Sequence, residues 1–170
     1  MAKRISLREF QESLARRLSS AQRGESKPAM LGVASGADLW LLDLTDSGEV
    51  VPLPALTSVP LTQPWFAGIA NVRGTLYSVV DFSAFRGGEP TRRNANARLL
   101  LVGARHGVNS ALLVDRTLGL RNLDDLEVAD DSASPAPWAG ERRQDVQGNR
   151  WTMLQLKELL ADPGFLDIGL

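Results

Sequence analysis

The sequence contains no cysteine among its 170 residues and only one histidine, His106. The absence of cysteine excludes disulfide bonds, thiolate metal sites and cysteine nucleophiles, and a single histidine cannot form a histidine-rich metal site. No apolar run approaches the length of a membrane-spanning helix. The basic start, Met1 to Arg4, is not followed by the long apolar stretch of a secretory signal. We therefore expect a cytoplasmic protein.

The sequence also lacks a marked excess of either positive or negative charge. The formal net charge is -1 and the sequence pI is about 5.9, which argues against binding to nucleic acid or to an anionic membrane surface. Neither the phosphate-loop pattern nor the dinucleotide-binding glycine pattern occurs. The acidic stretch 124–131 lacks the spacing of a calcium loop and is interpreted as a solvated loop. We expect no cofactor, no metal and no enzymatic activity.

One catalytic alternative stays open at this point. His106 lies in an R-H-G sequence that predicts a surface turn, and Asp115 follows on the next predicted strand. These two residues leave a Ser–His–Asp arrangement possible, although no G-x-S-x-G elbow presents a serine. A small β-barrel hydrolase using His106 is therefore the enzymatic alternative.

The clearest helix runs from Ser6 to Gln22. Ser6 and Glu9 form a possible capping box at its start. An apolar stripe follows at helical spacing, formed by Leu7, Phe10, Leu14 and Leu18. We favour a helix docked on its own domain over a partner-binding or dimerising helix, because the stripe is too short for a free-standing coiled coil. Arg23 to Pro28 is a polar linker.

The remainder of the chain reads as short strands separated by turns. The predicted strands and extended segments are 30–34, 39–43, 49–54, 98–102, 110–115 and 151–154, and 155–161 is predicted to be a short helix stopped by Pro163. Pro52 and Pro54 keep their segment away from the centre of a sheet. Gly119 is a candidate bulge, and residues 86–96 are predicted to be an exposed loop. Many short strands favour small β-barrels over a parallel sheet.

The chain is organised around residues 60–87. Trp65, Phe66 and Ile69 supply apolar surface before the turn sequence N-V-R-G at 71–74, where asparagine and glycine tolerate a left-handed backbone. The strand after the turn, residues 76–82, is largely apolar on both faces, which predicts burial on both sides.

The sequence G-I-A-N-V-R-G-T-L-Y-S-V-V-D-F at 68–82 resembles the signature of the CheW-like coupling proteins of bacterial chemosensory arrays. Together with the preceding Q-P-W-F, it is most similar to the PilI-type adaptors of twitching-motility (type IV pilus) systems. The resemblance covers roughly residues 29–160. Ser78 stands where many CheW proteins have proline, which indicates a dedicated branch of the family.

The resemblance implies a mainly β fold: two SH3-like small β-barrels packed side by side, with a hydrophobic seam between them, an added N-terminal α-helix and a short C-terminal helix. Val50, Val72, Leu112 and Val114 are the candidate seam or groove residues. It also implies a division of the chain into an N-terminal helix and linker, 1–28, and a CheW-like domain with two lobes, 29–170.

The function implied is that of a non-enzymatic adaptor. Such an adaptor couples the cytoplasmic tip of a methyl-accepting chemoreceptor to the regulatory CheW-like domain of a CheA-like histidine kinase. The resemblance places the partner-binding surface at Arg73, with Glu49 as its ion-pair partner. Asn71, Val72, Gly74 and Val50 complete that surface. A receptor-only or decoy adaptor that binds no kinase is the main alternative.

Overall fold

The computed structural model describes residues 7–22, 29–129 and 136–170, and the chain is mainly β, as predicted. The helices are α1 (Leu7–Gln22), α2 (Phe82–Phe85), α3 (Leu156–Leu160) and α4 (Pro163–Leu166). The strands are β1 (Met30–Ser35), β2 (Asp38–Asp43), β3 (Ser47–Pro52), β4 (Leu56–Thr57), β5 (Phe66–Val72), β6 (Thr75–Asp81), β7 (Arg98–Val102), β8 (Ser110–Val114), β9 (Arg116–Arg121), β10 (Glu127–Val128), β11 (Ala139–Gln144) and β12 (Arg150–Leu154). Within the described ranges, no helix is long and apolar enough to cross a membrane.

The strands form two six-stranded sheets. The first sheet has the order β10-β11-β12-β2-β1-β9, and the second has the order β3-β7-β8-β6-β5-β4. Neighbouring strands are antiparallel except β12 with β2 and β6 with β8, which are parallel. β3 lies at an edge of its sheet, as its prolines predicted. The predicted bulge at Gly119 is confirmed, since β9 has one more residue than β1 between their paired positions and Gly119 has φ +80°.

Each sheet surrounds an apolar cluster of its own, and a third cluster joins the two sheets. Alternation along the strands sorts the side chains between clusters. In β7, Leu99 and Leu101 enter the cluster of the second sheet, whereas Leu100 and Val102 enter the shared one, which we call the seam. In β2, Leu41 enters the cluster of the first sheet. Strands that serve two clusters must be apolar on both faces, and the runs in β1, β7 and β8 are.

The seam is closed by aromatic side chains and by the C-terminal helices. Trp40 of β2 packs edge-on against Phe82 of α2, with ring centroids 5.0 Å apart. Phe165 of α4 packs in the same way against Phe85, at 5.5 Å. The Arg86 guanidinium lies over the rings of Trp40 and Phe82, at 5.0 and 4.8 Å. These contacts tie the end of the second sheet to the first.

Asp81 fixes the loop that follows the central strand. Its carboxylate is 6% exposed and accepts hydrogen bonds from Ala84 N at 3.2 Å, Thr91 N at 2.8 Å and Thr91 Oγ1 at 2.7 Å. A buried carboxylate requires such donors, because burial without them costs several kcal/mol, roughly. The prediction that residues 86–96 form an exposed loop is therefore wrong at two positions: Thr91 is buried against Asp81, and Arg86 is half-buried against the seam.

Three other expectations differ from the structure. β6 is not buried on both faces along its whole length, because Thr75 and Leu76 project beyond both clusters and are exposed. Pro163 does not simply stop the C-terminal helix: it begins α4, whose N-cap Asp162 accepts from Gly164 N and Phe165 N. β11 was not recognised from the sequence, because its polar central residues show no apolar alternation.

A carboxylate holds the turn of the β11–β12 hairpin. Asp145 accepts from the backbone N of Gln147 and of Asn149, both at 2.9 Å, and from the indole of Trp151 at 3.2 Å. These bonds, and first of all the bond from the Asn149 side chain, lower the pKa of Asp145 to about 2. The turn between β11 and β12 is thereby fixed to the buried Trp151.

The N-terminal helix differs most from expectation. Phe10 is 56% exposed and Leu14 is 46% exposed. The favoured prediction of a docked apolar stripe is wrong for these two residues. The predicted capping box depends on Ser6, which lies outside the described residues, as do the side chains of Leu7, Glu9 and Leu18. The predicted linker 23–28 also lies outside them.

Gly68 gives the sharpest test of this architecture. It has φ +127°, and a Cβ there would lie 2.4 Å from the carbonyl oxygen of Thr57 in β4. We expect Gly68→Ala to lower the free energy of unfolding by roughly 3 kcal/mol or more in chemical denaturation, because it adds a backbone clash to conformational strain. Gly87→Ala is the control: Gly87 has φ +85° with open space around it, so about 1–2 kcal/mol is expected. Equal losses in the two variants would contradict this packing.

Candidate functional site

The turn between β5 and β6 contains two residues, Arg73 and Gly74, closed by the pair Val72–Thr75. Both turn residues have positive φ, +51° and +86°, the combination that suits a tight hairpin between twisted strands. Asn71 tolerates a left-handed backbone but does not adopt one here. Asn71 instead accepts a hydrogen bond from Gly74 N at 2.9 Å. The strained residue is Arg73, at a cost of about 1–2 kcal/mol for a side chain in that region.

The predicted ion pair between Arg73 and Glu49 is confirmed. Arg73 Nη2 contacts Glu49 Oε2, which joins the β5–β6 turn to β3 at the far edge of the same sheet. The two side chains are 68% and 46% exposed. An exposed pair contributes only about 0–1 kcal/mol to stability. The pair is therefore too weak to explain why the chain holds an arginine in a strained turn.

The apolar candidates all belong to, or pack against, the apolar clusters. Val50 follows Glu49 in β3 and packs half-buried against the seam. Val72 is half-buried against the cluster of the second sheet. Leu112 and Val114 lie in the seam, as predicted, at 1% and 0% exposure, so they contribute to the core and offer no surface to a partner. The site is thus a charged surface on a packed base.

Leu76 was missed as a site residue. It lies directly opposite Asn71 in the hairpin and is 59% exposed. An exposed leucine beside an exposed arginine is a typical pairing for a protein contact, because interfaces combine apolar contact with arginine. The signal available in the sequence was its position, two residues after the turn, where the hairpin extends past the core.

A second ion pair lies just before β3. Arg105 Nη2 contacts Asp46 Oδ1, and His106 Nε2 lies 3.3 Å from the same oxygen. The His106 side chain is only 8% exposed, so the prediction of an exposed turn residue is wrong for it. Asp115, the acid needed by the hydrolase alternative, accepts instead from Gly36 N at 2.6 Å. The His106–Asp115 arrangement is therefore not formed.

The described part of the chain contains no group of three or more histidine, cysteine, aspartate or glutamate side chains placed to hold a metal ion. What the Arg73 region offers chemically is a paired guanidinium and carboxylate, exposed amide and backbone groups, and one exposed leucine. Such a set has the chemistry suited to contact with another protein surface, through charge and apolar contact.

Comparison with known families gives one match that covers most of the chain. The model of the CheW-like domain matches residues 29–163. The match includes both sheets, the Arg73 turn and Glu49. Helix α1 and the residues after Pro163 lie outside it.

Individual relatives agree with the family match. Protein PilI of Pseudomonas aeruginosa is 26% identical over 161 residues, covering 92% of this chain and 88% of that protein. Among solved structures, the scaffolding protein TtCheW from Thermoanaerobacter tengcongensis superposes with a TM-score of 0.66 at 20% identity, covering 82% of this chain and 96% of that one. At that identity the likeness shows a shared fold.

Removal of the ion pair should leave the fold intact. We expect Arg73→Ala and Glu49→Ala each to change the free energy of unfolding by less than about 1 kcal/mol, because both side chains are exposed. Val80→Ala is the control for the method: Val80 is 1% exposed in the seam, so its truncation should cost roughly 2 kcal/mol. Urea denaturation followed by tryptophan fluorescence measures all three. A loss at Arg73→Ala as large as that of the control would make the pair structural.

Proposed function

The chain belongs to the CheW-like domain family, and from this premise we propose that it is a non-enzymatic adaptor that couples a methyl-accepting chemoreceptor to a CheA-like histidine kinase. The kinase would be bound through its own CheW-like regulatory domain and the receptor through its cytoplasmic tip. Residues 29–170 would form the adaptor, and residues 1–28 a separate helix and linker.

The proposal rests on three features that occur together at Arg73. An exposed guanidinium is held in a strained left-handed turn and oriented by Glu49, with Leu76 exposed beside it. The strain is not repaid by the exposed ion pair, and residues in strained backbone positions cluster at binding sites. Arg73, Glu49, Asn71, Val72, Gly74 and Val50 are the residues we assign to the partner-binding site.

Binding at two surfaces explains how such a protein transmits a signal without chemistry. A receptor can shift the kinase between states only if the complex favours one state energetically. The adaptor supplies that coupling when receptor and kinase bind it together, since each partner's affinity then depends on the other's state. A guanidinium already oriented before binding reduces the entropy lost on association.

The output we assign is type IV pilus twitching motility. The motif at 63–82 resembles that of PilI-type adaptors, and the identity with Protein PilI extends over most of both chains. These likenesses favour a surface-motility system over a flagellar one.

Calorimetric titration against the kinase regulatory domain and the receptor tip of the same organism tests the function. We expect saturable micromolar binding to both partners. Arg73→Ala should weaken one of the two affinities roughly tenfold or more, as loss of an arginine hot spot does. Arg92→Ala, which removes an exposed arginine from the 86–96 loop, is the matched control and should bind like wild type.

The contrary outcomes are separable. Binding to the receptor alone would replace the coupling function by that of a receptor-only adaptor. Wild-type binding to neither partner would contradict an adaptor function altogether. Full binding to both partners by Arg73→Ala would remove Arg73 from the site while leaving the function.

A further inference from the structure

We propose that the chain forms a reciprocal dimer in which helix α1 of each copy packs on a surface of the other copy near its C-terminal end. That surface consists of Leu61, Leu166 and Leu170, and we call it the C-terminal patch. The proposal is independent of the adaptor function, because it uses none of the residues assigned to the Arg73 site.

Helix α1 presents an apolar stripe whose described members, Phe10 and Leu14, are exposed in a single copy. Phe10 is 56% and Leu14 46% exposed, and every other described side chain of the helix is exposed as well. An amphipathic helix of 16 residues is only marginally stable alone and is normally stabilised by packing of its apolar face. The sequence therefore implies a surface that covers this stripe.

The C-terminal patch is built by two segments joined through their backbones. Thr62 pairs with Gly169 in an antiparallel bridge, with Gln63 N donating to Ile168 O at 2.7 Å and Leu170 N donating to Leu61 O at 3.1 Å. The bridge places Leu61 opposite Leu170. Leu61 and Leu170 are each 80% exposed and Leu166 is 63% exposed. Three leucines this exposed on joined segments form an apolar surface without a partner in the single copy.

The backbone holds one of these leucines outward at a cost. Leu61 has φ +58°, a left-handed conformation that a leucine adopts with about 1–2 kcal/mol of strain. The hydrogen bond to Leu170 N and the Thr62–Gly169 bridge keep it there. A contact between this exposed leucine and a second copy would explain why the chain keeps the strained conformation.

The N-terminal segment and the C-terminal end of the chain carry net charges of opposite sign. Residues 1–28 contain seven lysines or arginines and three glutamates, a net +4, whereas residues 29–170 carry a net -5. The final stretch, 158–170, contains Glu158, Asp162 and Asp167 and no basic residue. Helix α1 itself carries three arginines and two glutamates, a net +1, so most of the basic charge of 1–28 flanks the helix. This basic segment and the acidic C-terminal stretch attract each other over about a Debye length, ~8 Å at physiological salt.

A second copy fits this arrangement better than the chain's own patch. A contact between one helix stripe and three leucines buries a small area compared with a stable interface of roughly 1,200–2,000 Å². A two-fold dimer forms this contact twice and so buries twice that area. Both elements also lie wholly or partly outside the CheW-like match at 29–163, so the contact leaves the family's domain unchanged.

Light scattering coupled to gel filtration tests the dimer. From micromolar to millimolar concentration, wild type should approach twice the monomer mass of 18.4 kDa, and added salt should weaken association. Phe10→Glu and Leu166→Glu, and separately Asp167→Lys, should each raise the dissociation constant roughly tenfold or more. Val146→Glu is the matched control, since Val146 is 96% exposed at the β11–β12 turn, and it should dimerise like wild type.

Cross-linking tests which copy supplies the helix. The chain has no cysteine, so two introduced thiols pair unambiguously. A tagged chain carrying Ser13→Cys, mixed with an untagged chain carrying Asp167→Cys, should give a tagged–untagged disulfide dimer. The proposal would be overturned if wild type stayed a monomer at all concentrations, or if the dimer were insensitive to Phe10→Glu or to Leu166→Glu. It would also be overturned if this cross-link did not form, or if it formed only within one chain that carries both cysteines.

Discussion

Hydrophobic contact between the two sheets determines which residues of this protein must be apolar. The seam takes Trp40 and Leu42 from one sheet and Leu100, Leu112 and Val114 from the other, and α3 and α4 close it. Strands that line it must also line their own sheet's cluster, so neither face can carry charge. Charged residues of these strands are therefore confined to the strand ends and to the turns beyond them. The Arg73 turn and the β11–β12 turn are such turns.

That confinement gives the candidate site its character. The base of the site, Val50 and Val72, is held by packing, while Arg73 and Glu49 extend from it into solvent. A charged pair on a rigid base offers a partner a fixed arrangement and loses little freedom on binding. Because the exposed pair contributes only about 0–1 kcal/mol to stability, the residues that hold the fold and those that we assign to partner contact are separable by mutation.

Elements with strong local signals were predictable from the sequence, and those decided by tertiary contact were not. The β1–β2 hairpin, β7 and β8 follow from apolar runs and turn residues, and the Glu49–Arg73 pair followed from a family resemblance. The burial of Thr91 depends on Asp81, ten residues away, and β11 exists because β12 pairs with it. Which residue of the N-V-R-G turn takes the left-handed conformation was decided by the two-residue hairpin geometry, which the composition of the turn does not reveal.

The central claim is that the Arg73 turn is the surface through which this protein meets a signalling partner. An amide NMR titration of the full chain with the kinase regulatory domain, and then with the receptor tip, tests it most directly. The account predicts that one partner perturbs a continuous set of amides at 71–76 and 47–50 first and most strongly. Perturbations confined to other surfaces with both partners, at concentrations where both bind, would contradict it.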